Sequence, residues 1–211
     1  MKKFFFFLLI VAIAALLAWK FIFKKETKND GPKPEGMAVS EHSSDFNTSM
    51  KKALDDYYNL SEAFVNWDTV GVSSALAAFK TSIDSLGLEE MKKDSAIYPT
   101  VESYWESIKS EISGIALDSG LYAKREDLNS LSQQLYDLLR IVKYDAAKVY
   151  YHECPMALNN YENSAFWLSD KGEMKERRNP YLGLHDPKFG RSMLTCGSTR
   201  DSINFIATSS K

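Results

Sequence analysis

The chain contains two cysteines, Cys154 and Cys196, and each of them stands close to a methionine. His152 and Met156 flank Cys154, and Met193 precedes Cys196 by three residues. Thiolate and thioether groups are soft donors that select Cu(I), and by extension Ag(I), over hard cations. If the two stretches meet in the fold, these five residues form a candidate soft-metal site. Zinc fits them less well, because a thioether is a poor zinc ligand.

The same two cysteines can also form a disulfide. In an oxidising compartment that bond would contribute about 4 kcal/mol for a loop of this length. Met156 and Met193 would then be ordinary core residues. The residues alone leave the metal site and the disulfide open, and both require Cys154 and Cys196 to converge.

No pattern in the chain indicates an enzyme. His152 stands two residues before Cys154, but no third residue is evident that would orient it as a general base. The chain contains no Gly-rich phosphate loop, no G-x-S-x-G, no H-E-x-x-H and no C-x-x-C pattern. We therefore expect no catalytic residues. A formal net charge of -2 gives no reason to expect nucleic acid as a partner.

The N-terminus predicts a membrane segment. Residues 4–23 are apolar except for Lys20, and basic pairs flank them on both sides. As a helix this run would span the hydrocarbon layer of about 30 Å. The aromatic end of the run is a poor cleavage site, so residues 1–25 are expected to remain as an anchor, with cleavage and export to the periplasm as the alternative. Residues 26–45 read as a flexible linker in which His42 is solvated.

Four windows then show the apolar spacing of helices. Asp68 is expected to cap the second helix, and Pro99 to lie in the first turn of the third. The fold class predicted is mainly α, an antiparallel four-helix bundle over residues 46–149. No Glu-x-x-His pair lies on the stripes, which excludes a di-iron bundle site. The stripes run from Phe46 to Trp67, from Val72 to Leu86, from Val101 to Ile115 and from Leu128 through Val142 and Ala146 to Val149.

Residues 150–211 are predicted to form a small irregular β cap that packs on the bundle. Phe166-Trp167-Leu168 reads as a short strand. Residues 179–183 and 188–190 carry turn signals, because they combine Asn, Pro and Gly.

Several short strings in this segment resemble an uncharacterised bacterial domain family. They are CPM at 154–156, FWLS at 166–169, NPY at 179–181, FG at 189–190 and MLTCG at 193–197. The family occurs alone or fused to periplasmic adaptor subunits of copper/silver-type efflux pumps. The resemblance implies a periplasm-facing domain involved in metal handling, with Cys154, Met156, Met193 and Cys196 as the positions that match its motif. The chain departs from the pattern by an insertion at Leu182–Lys188, whose His185 reads as a loop residue.

The expected function is that of a membrane-anchored domain on the periplasmic side of the inner membrane. It would bind Cu(I) or Ag(I) and buffer the ion for, or pass it to, an efflux adaptor or another envelope protein. The alternative is a disulfide-stabilised structural or protein-interaction module of the cell envelope. A weaker possibility is a sensor domain of an envelope stress response.

Overall fold

A computed structural model describes residues 42–206 of the chain. The predicted anchor at 1–25 and most of the predicted linker at 26–45 lie outside the described residues. Within residues 42–206, no helix is both long and apolar enough to cross a membrane.

The described part is mainly helical. Its α-helices are α1 Ser44–Val65, α2 Thr69–Asp84, α3 Tyr98–Leu117 and α4 Leu121–Ile141, and short 3₁₀ helices cover Leu88–Lys93, Met174–Glu176 and Gly190–Thr195. The caps follow from the sequence as predicted. The Asp68 side chain accepts a hydrogen bond from the backbone N–H of Gly71 at 2.9 Å, and Pro99 lies in the first turn of α3.

The helices share one core. α1 packs along α2, α3 packs along α4, and α2 contacts α3. The apolar stripes predicted from the sequence are the buried faces: Phe64, Phe79, Ile108 and Leu135 are all fully buried, one from each helix.

The end of the fourth helix was predicted too late. The sequence placed Ala146 and Val149 on the helical stripe, but α4 ends at Ile141 and Val149 begins the first strand. Lys143 adopts a left-handed backbone with φ 54°, which does not continue an α-helix.

A three-stranded antiparallel sheet follows the helices. The strands are β1 Val149–Leu158, β2 Asn163–Ser169 and β3 Ser198–Ile203, in the order β2-β1-β3. β2 contains the strand predicted at Phe166-Trp167-Leu168, and turns lie where the sequence predicted them, around residues 180–184 and 187–189. The sheet packs on α4 and α1, so the predicted β cap is present as a regular sheet.

His42 was expected to be solvated in the linker, and this expectation is wrong. Its side chain is only 4% exposed. Nδ1 lies 2.6 Å from a carboxylate oxygen of Glu90, and Nε2 lies 2.6 Å from the carbonyl oxygen of Val142. The ring also packs on Phe46 with centroids 4.4 Å apart. The part of the predicted linker that enters α1 is therefore fastened to the helical domain.

Candidate functional site

Cys154 and Cys196 form a disulfide. Cys154 lies in β1 and is fully buried, whereas Cys196 follows the 3₁₀ helix Gly190–Thr195 and is partly exposed. Their Cα atoms are 5.5 Å apart. The predicted convergence of the two stretches is thus confirmed, and in this structure neither sulfur is a free thiol.

Gly197 makes the approach of these two stretches possible. It has φ 101°, and a Cβ added there would overlap the carbonyl group of Glu153 in β1. Only glycine combines this backbone conformation with so close a contact. The MLTCG string therefore ends in a residue that the geometry beside the disulfide requires.

The two methionines belong to the apolar packing around the disulfide. Met193 is 7% exposed and is part of the core, and Met156 is partly buried against it. The carbonyl of Met193 accepts hydrogen bonds from the backbone N–H of Cys196 at 3.1 Å and from the side-chain amide of Asn179 at 3.4 Å. These bonds hold the turn that delivers Cys196 to β1.

His152 is a buried residue of β1 with both ring nitrogens engaged. Nε2 lies 2.9 Å from the carbonyl oxygen of Lys171, so it must carry the proton and donate. Nδ1 lies 3.1 Å from the Thr199 hydroxyl and accepts from it. Burial lowers the pKa of His152 to about 4, against the opposing effect of the Lys171 carbonyl. A metal ion at Nδ1 would have to displace Thr199.

The remaining candidate residues do not join this region. His185 is exposed, and its ring centroid lies 6.3 Å from that of Trp67, at the junction of α1 and α2. Among residues 42–206, no three His, Cys, Asp or Glu side chains group in a way that could hold a metal ion.

Sequence reasoning missed two of the buried charged residues. Arg125 is 5% exposed and Asp186 is 4% exposed, and both line the same cavity. The sequence does indicate that Arg125 is buried, because it precedes Leu128 by three residues and so occupies a position on the apolar stripe of α4. Asp186 lies in the segment identified as an insertion and carries no such signal.

These features define a mainly helical domain with a C-terminal sheet, in which one disulfide joins β1 to the segment just before β3. Residues 53–146 of this domain match the family model described as "Protein of unknown function (DUF3347)". The match covers most of α1 and all of α2, α3 and α4. It stops before β1, so it includes none of the Cys/Met motif and carries no link to efflux adaptors. No curated protein and no solved structure matches the chain.

Proposed function

We propose that the chain is a non-catalytic, disulfide-stabilised structural or interaction module of the cell envelope, tethered by its N-terminal apolar segment with the helical domain on the periplasmic side. One observation carries this proposal: the two cysteines of the chain are joined to each other. Structural disulfides persist in oxidising compartments and are rare in the cytosol. An apolar run of membrane-spanning length at the N-terminus is the kind of segment that delivers a domain to such a compartment.

The absence of a catalytic role is supported by what the candidate groups do in the fold. The sulfur of Cys154 is used in the disulfide, so it is not a nucleophile in this state. The ring of His152 is held in the core by Lys171 and Thr199. Both groups therefore stabilise the sheet.

The redox state in cells tests the proposal. The full chain is produced in a bacterium, free thiols are blocked with iodoacetamide during lysis in a denaturing buffer without reductant, and the intact mass is measured. We expect no alkylation and a mass two hydrogen atoms below that of the reduced chain. A matched chain lacking residues 1–25 should stay in the reducing cytosol and be alkylated at both cysteines. Full alkylation of the complete chain would overturn the proposal.

The side of the membrane is tested separately. Protease added to spheroplasts should digest the domain while cytoplasmic proteins stay intact. Digestion that occurs only after the membrane is dissolved would place the domain on the other side.

A second candidate function applies to the reduced protein. The observation that favours it is that the two cysteines converge and that a methionine lies close to each of them in the chain. Met156 follows Cys154 on β1, and the carbonyl of Met193 accepts a hydrogen bond from the backbone N–H of Cys196. Two thiolates with thioethers beside them would bind Cu(I) or Ag(I) as cargo. The link to an efflux adaptor as the recipient rests on the motif resemblance alone.

Titration with Cu(I) against a competing chelator tests this second candidate. Reduced protein should bind one ion tightly, oxidised protein should not, and the Cys154→Ser/Cys196→Ser double variant should lose the site. A Met156→Leu/Met193→Leu variant keeps the thiols and shows whether the thioethers are ligands. Equal, weak binding by the reduced protein and the double cysteine variant would exclude the function.

A further inference from the structure

A cavity of about 180 Å³ lies between the start of α4, the end of β1 and the loop around residues 180–187. Four aromatic side chains and two charged side chains contribute to its lining. The side chains that matter are those of Trp67, Tyr122, Arg125, Tyr161, Tyr181 and Asp186. Tyr122 is 50% exposed, so the cavity has a solvent-accessible rim.

Arg125 is the unusual member of this set. An arginine is almost never fully buried unless it is paired, because removing its charge from water is costly. Here Nε donates to the carbonyl of Pro180 at 3.3 Å, and the guanidinium lies 4.2 Å from the ring centroid of Trp67. Its Nη2 is buried and has no hydrogen-bond partner among residues 42–206. The guanidinium therefore keeps an N–H donor for which the described part of the chain provides no acceptor.

Asp186 is not that acceptor. Its carboxylate accepts from the Tyr161 hydroxyl at 3.0 Å and from the backbone N–H groups of Lys188 at 3.1 Å and Phe189 at 2.5 Å. These bonds satisfy Asp186 and shape the loop. Burial lowers the pKa of Arg125 to about 10 despite the opposing charge of Asp186, so the guanidinium stays charged at neutral pH.

The aromatic walls are held in place by specific contacts. The indole N–H of Trp67 donates to the carbonyl of Leu182 at 3.2 Å. Tyr161 has a left-handed backbone with φ 73°, which is rare for a tyrosine, and its ring packs edge-on against Phe189 with centroids 5.2 Å apart. The walls are thus preformed around the guanidinium.

We propose that this cavity is a binding site for a small aromatic monocarboxylate, whose carboxylate accepts hydrogen bonds from the Arg125 guanidinium while its ring packs against the aromatic walls. Guanidinium and carboxylate groups form strong, charge-assisted pairs of defined geometry. An aromatic ring gains from edge and offset contacts with other rings. A cavity of about 150 Å³ in another protein holds benzene, so the volume here suits a single ring with a short acidic arm.

Calorimetry on the full chain, oxidised and in a non-ionic detergent, provides the first test with phenylacetate as the probe. We expect saturable one-to-one binding. Phenylacetamide has the same shape without the charge and should bind roughly tenfold or more weakly, because it cannot form the charge-assisted pair. Titration of each probe into detergent without protein measures the heat of its partition into micelles, which is subtracted.

The position of the probe is read from the indole N–H signals in an NMR spectrum. The signal of Trp67, identified by its loss in Trp67→Phe, should shift with phenylacetate, and that of Trp105, which donates to the Ile83 carbonyl between α3 and α2, should not. Arg125→Gln should weaken binding by roughly tenfold or more, and Arg125→Lys should recover only part of it because lysine lacks the planar fork.

If Arg125→Gln does not fold, the comparison of phenylacetate with phenylacetamide on the unmodified chain still decides the question. No saturable binding up to about 10 mM, or equal binding of the two probes, would overturn the proposal and leave Arg125 as a structural clamp on the Pro180 loop. The site does not depend on the redox state or the membrane location proposed above, so its failure and theirs are separate results.

Discussion

The hydroxyl oxygen of Tyr57 lies 2.7 Å from that of Ser132, in the fully buried centre between α1 and α4. The backbone N–H of Leu168 donates to the Tyr57 hydroxyl at 3.2 Å, and the Ser132 hydroxyl donates to the Leu128 carbonyl at 2.6 Å. Each hydroxyl has one proton, so the bonds run in one direction, from Leu168 through Tyr57 and Ser132 to Leu128. This chain of bonds fixes the register of β2 on the helices.

Removal of the Tyr57 hydroxyl should therefore be costly. In Tyr57→Phe the N–H of Leu168 loses its acceptor inside the core, and we expect a loss of about 1–3 kcal/mol in the free energy of unfolding. Burial also raises the pKa of Tyr57 to about 12, so its hydroxyl stays protonated at neutral pH. Urea unfolding followed by circular dichroism measures the change.

Tyr104→Phe is the matched control, because Tyr104 is only partly buried on α3. A surface hydroxyl of this kind should change the stability by no more than about 0.5 kcal/mol. If the two variants lose similar amounts of free energy of unfolding, the hydrogen bonds of the Tyr57 hydroxyl stabilise the fold no more than those of an ordinary tyrosine hydroxyl.

Gly197 should tolerate no side chain. Its φ of 101° and its contact with Glu153 leave no room for a Cβ, so Gly197→Ala should cost about 2–4 kcal/mol and leave some Cys196 unpaired. The control is Gly120→Ala, where an added Cβ meets no other atom of residues 42–206 within 4 Å. Thermal unfolding and thiol alkylation without reductant measure both effects. Full disulfide formation and unchanged stability in Gly197→Ala would contradict the role given to this glycine.

Reduction of the disulfide should destabilise the fold without abolishing it. The Cys154–Cys196 bond closes a loop with a sequence separation of 42 residues, for which chain entropy predicts about 4 kcal/mol. The large apolar core lies mainly in the helices, so far-UV circular dichroism should keep its helical signal. Urea unfolding with and without reductant measures the difference, and the Cys154→Ser/Cys196→Ser variant should show no response to reductant. A difference below about 1 kcal/mol would show that the loop is already constrained in the unfolded chain.

The sequence predicted those elements whose pattern is local and long. The stripes of α1 to α4 extend over many turns, and the strand at Phe166–Leu168 is bounded by turn residues, so both were found. The end of α4 was missed because Ala146 and Val149 fit a helical spacing by chance over a few residues. Periodicity cannot separate a strand from a helix over so short a run. His42 was missed for another reason: its partners Glu90 and Val142 are 48 and 100 residues away in the chain.

The candidate site was predictable in the same uneven way. The meeting of Cys154 and Cys196 followed from two cysteines with similar neighbours in a chain with few other candidates for chemistry. The cavity did not follow, because it is assembled from α4, the β1 end and a loop. An arginine on an apolar stripe was a visible irregularity at Arg125. Only the tertiary structure shows that its Nη2 has no hydrogen-bond partner within the described part of the chain.

His152 should make stability depend on pH above the range of the carboxylates. Its pKa in the folded chain is about 4, below the ordinary value of 6.5, so the unfolded chain binds one more proton between these two values. The contribution of His152 to the free energy of unfolding is therefore fully present above pH 6.5. It decreases by about 2–3 kcal/mol as the pH falls towards 4. Urea unfolding of the unmodified chain at intervals from pH 7.5 to pH 4 should show this slope. His152→Gln should flatten it whatever its stability at neutral pH, while His185→Gln, at an exposed position, should keep it. A slope that persists in His152→Gln would assign the effect to other groups and would show that the pKa of His152 does not differ between the folded and unfolded chain.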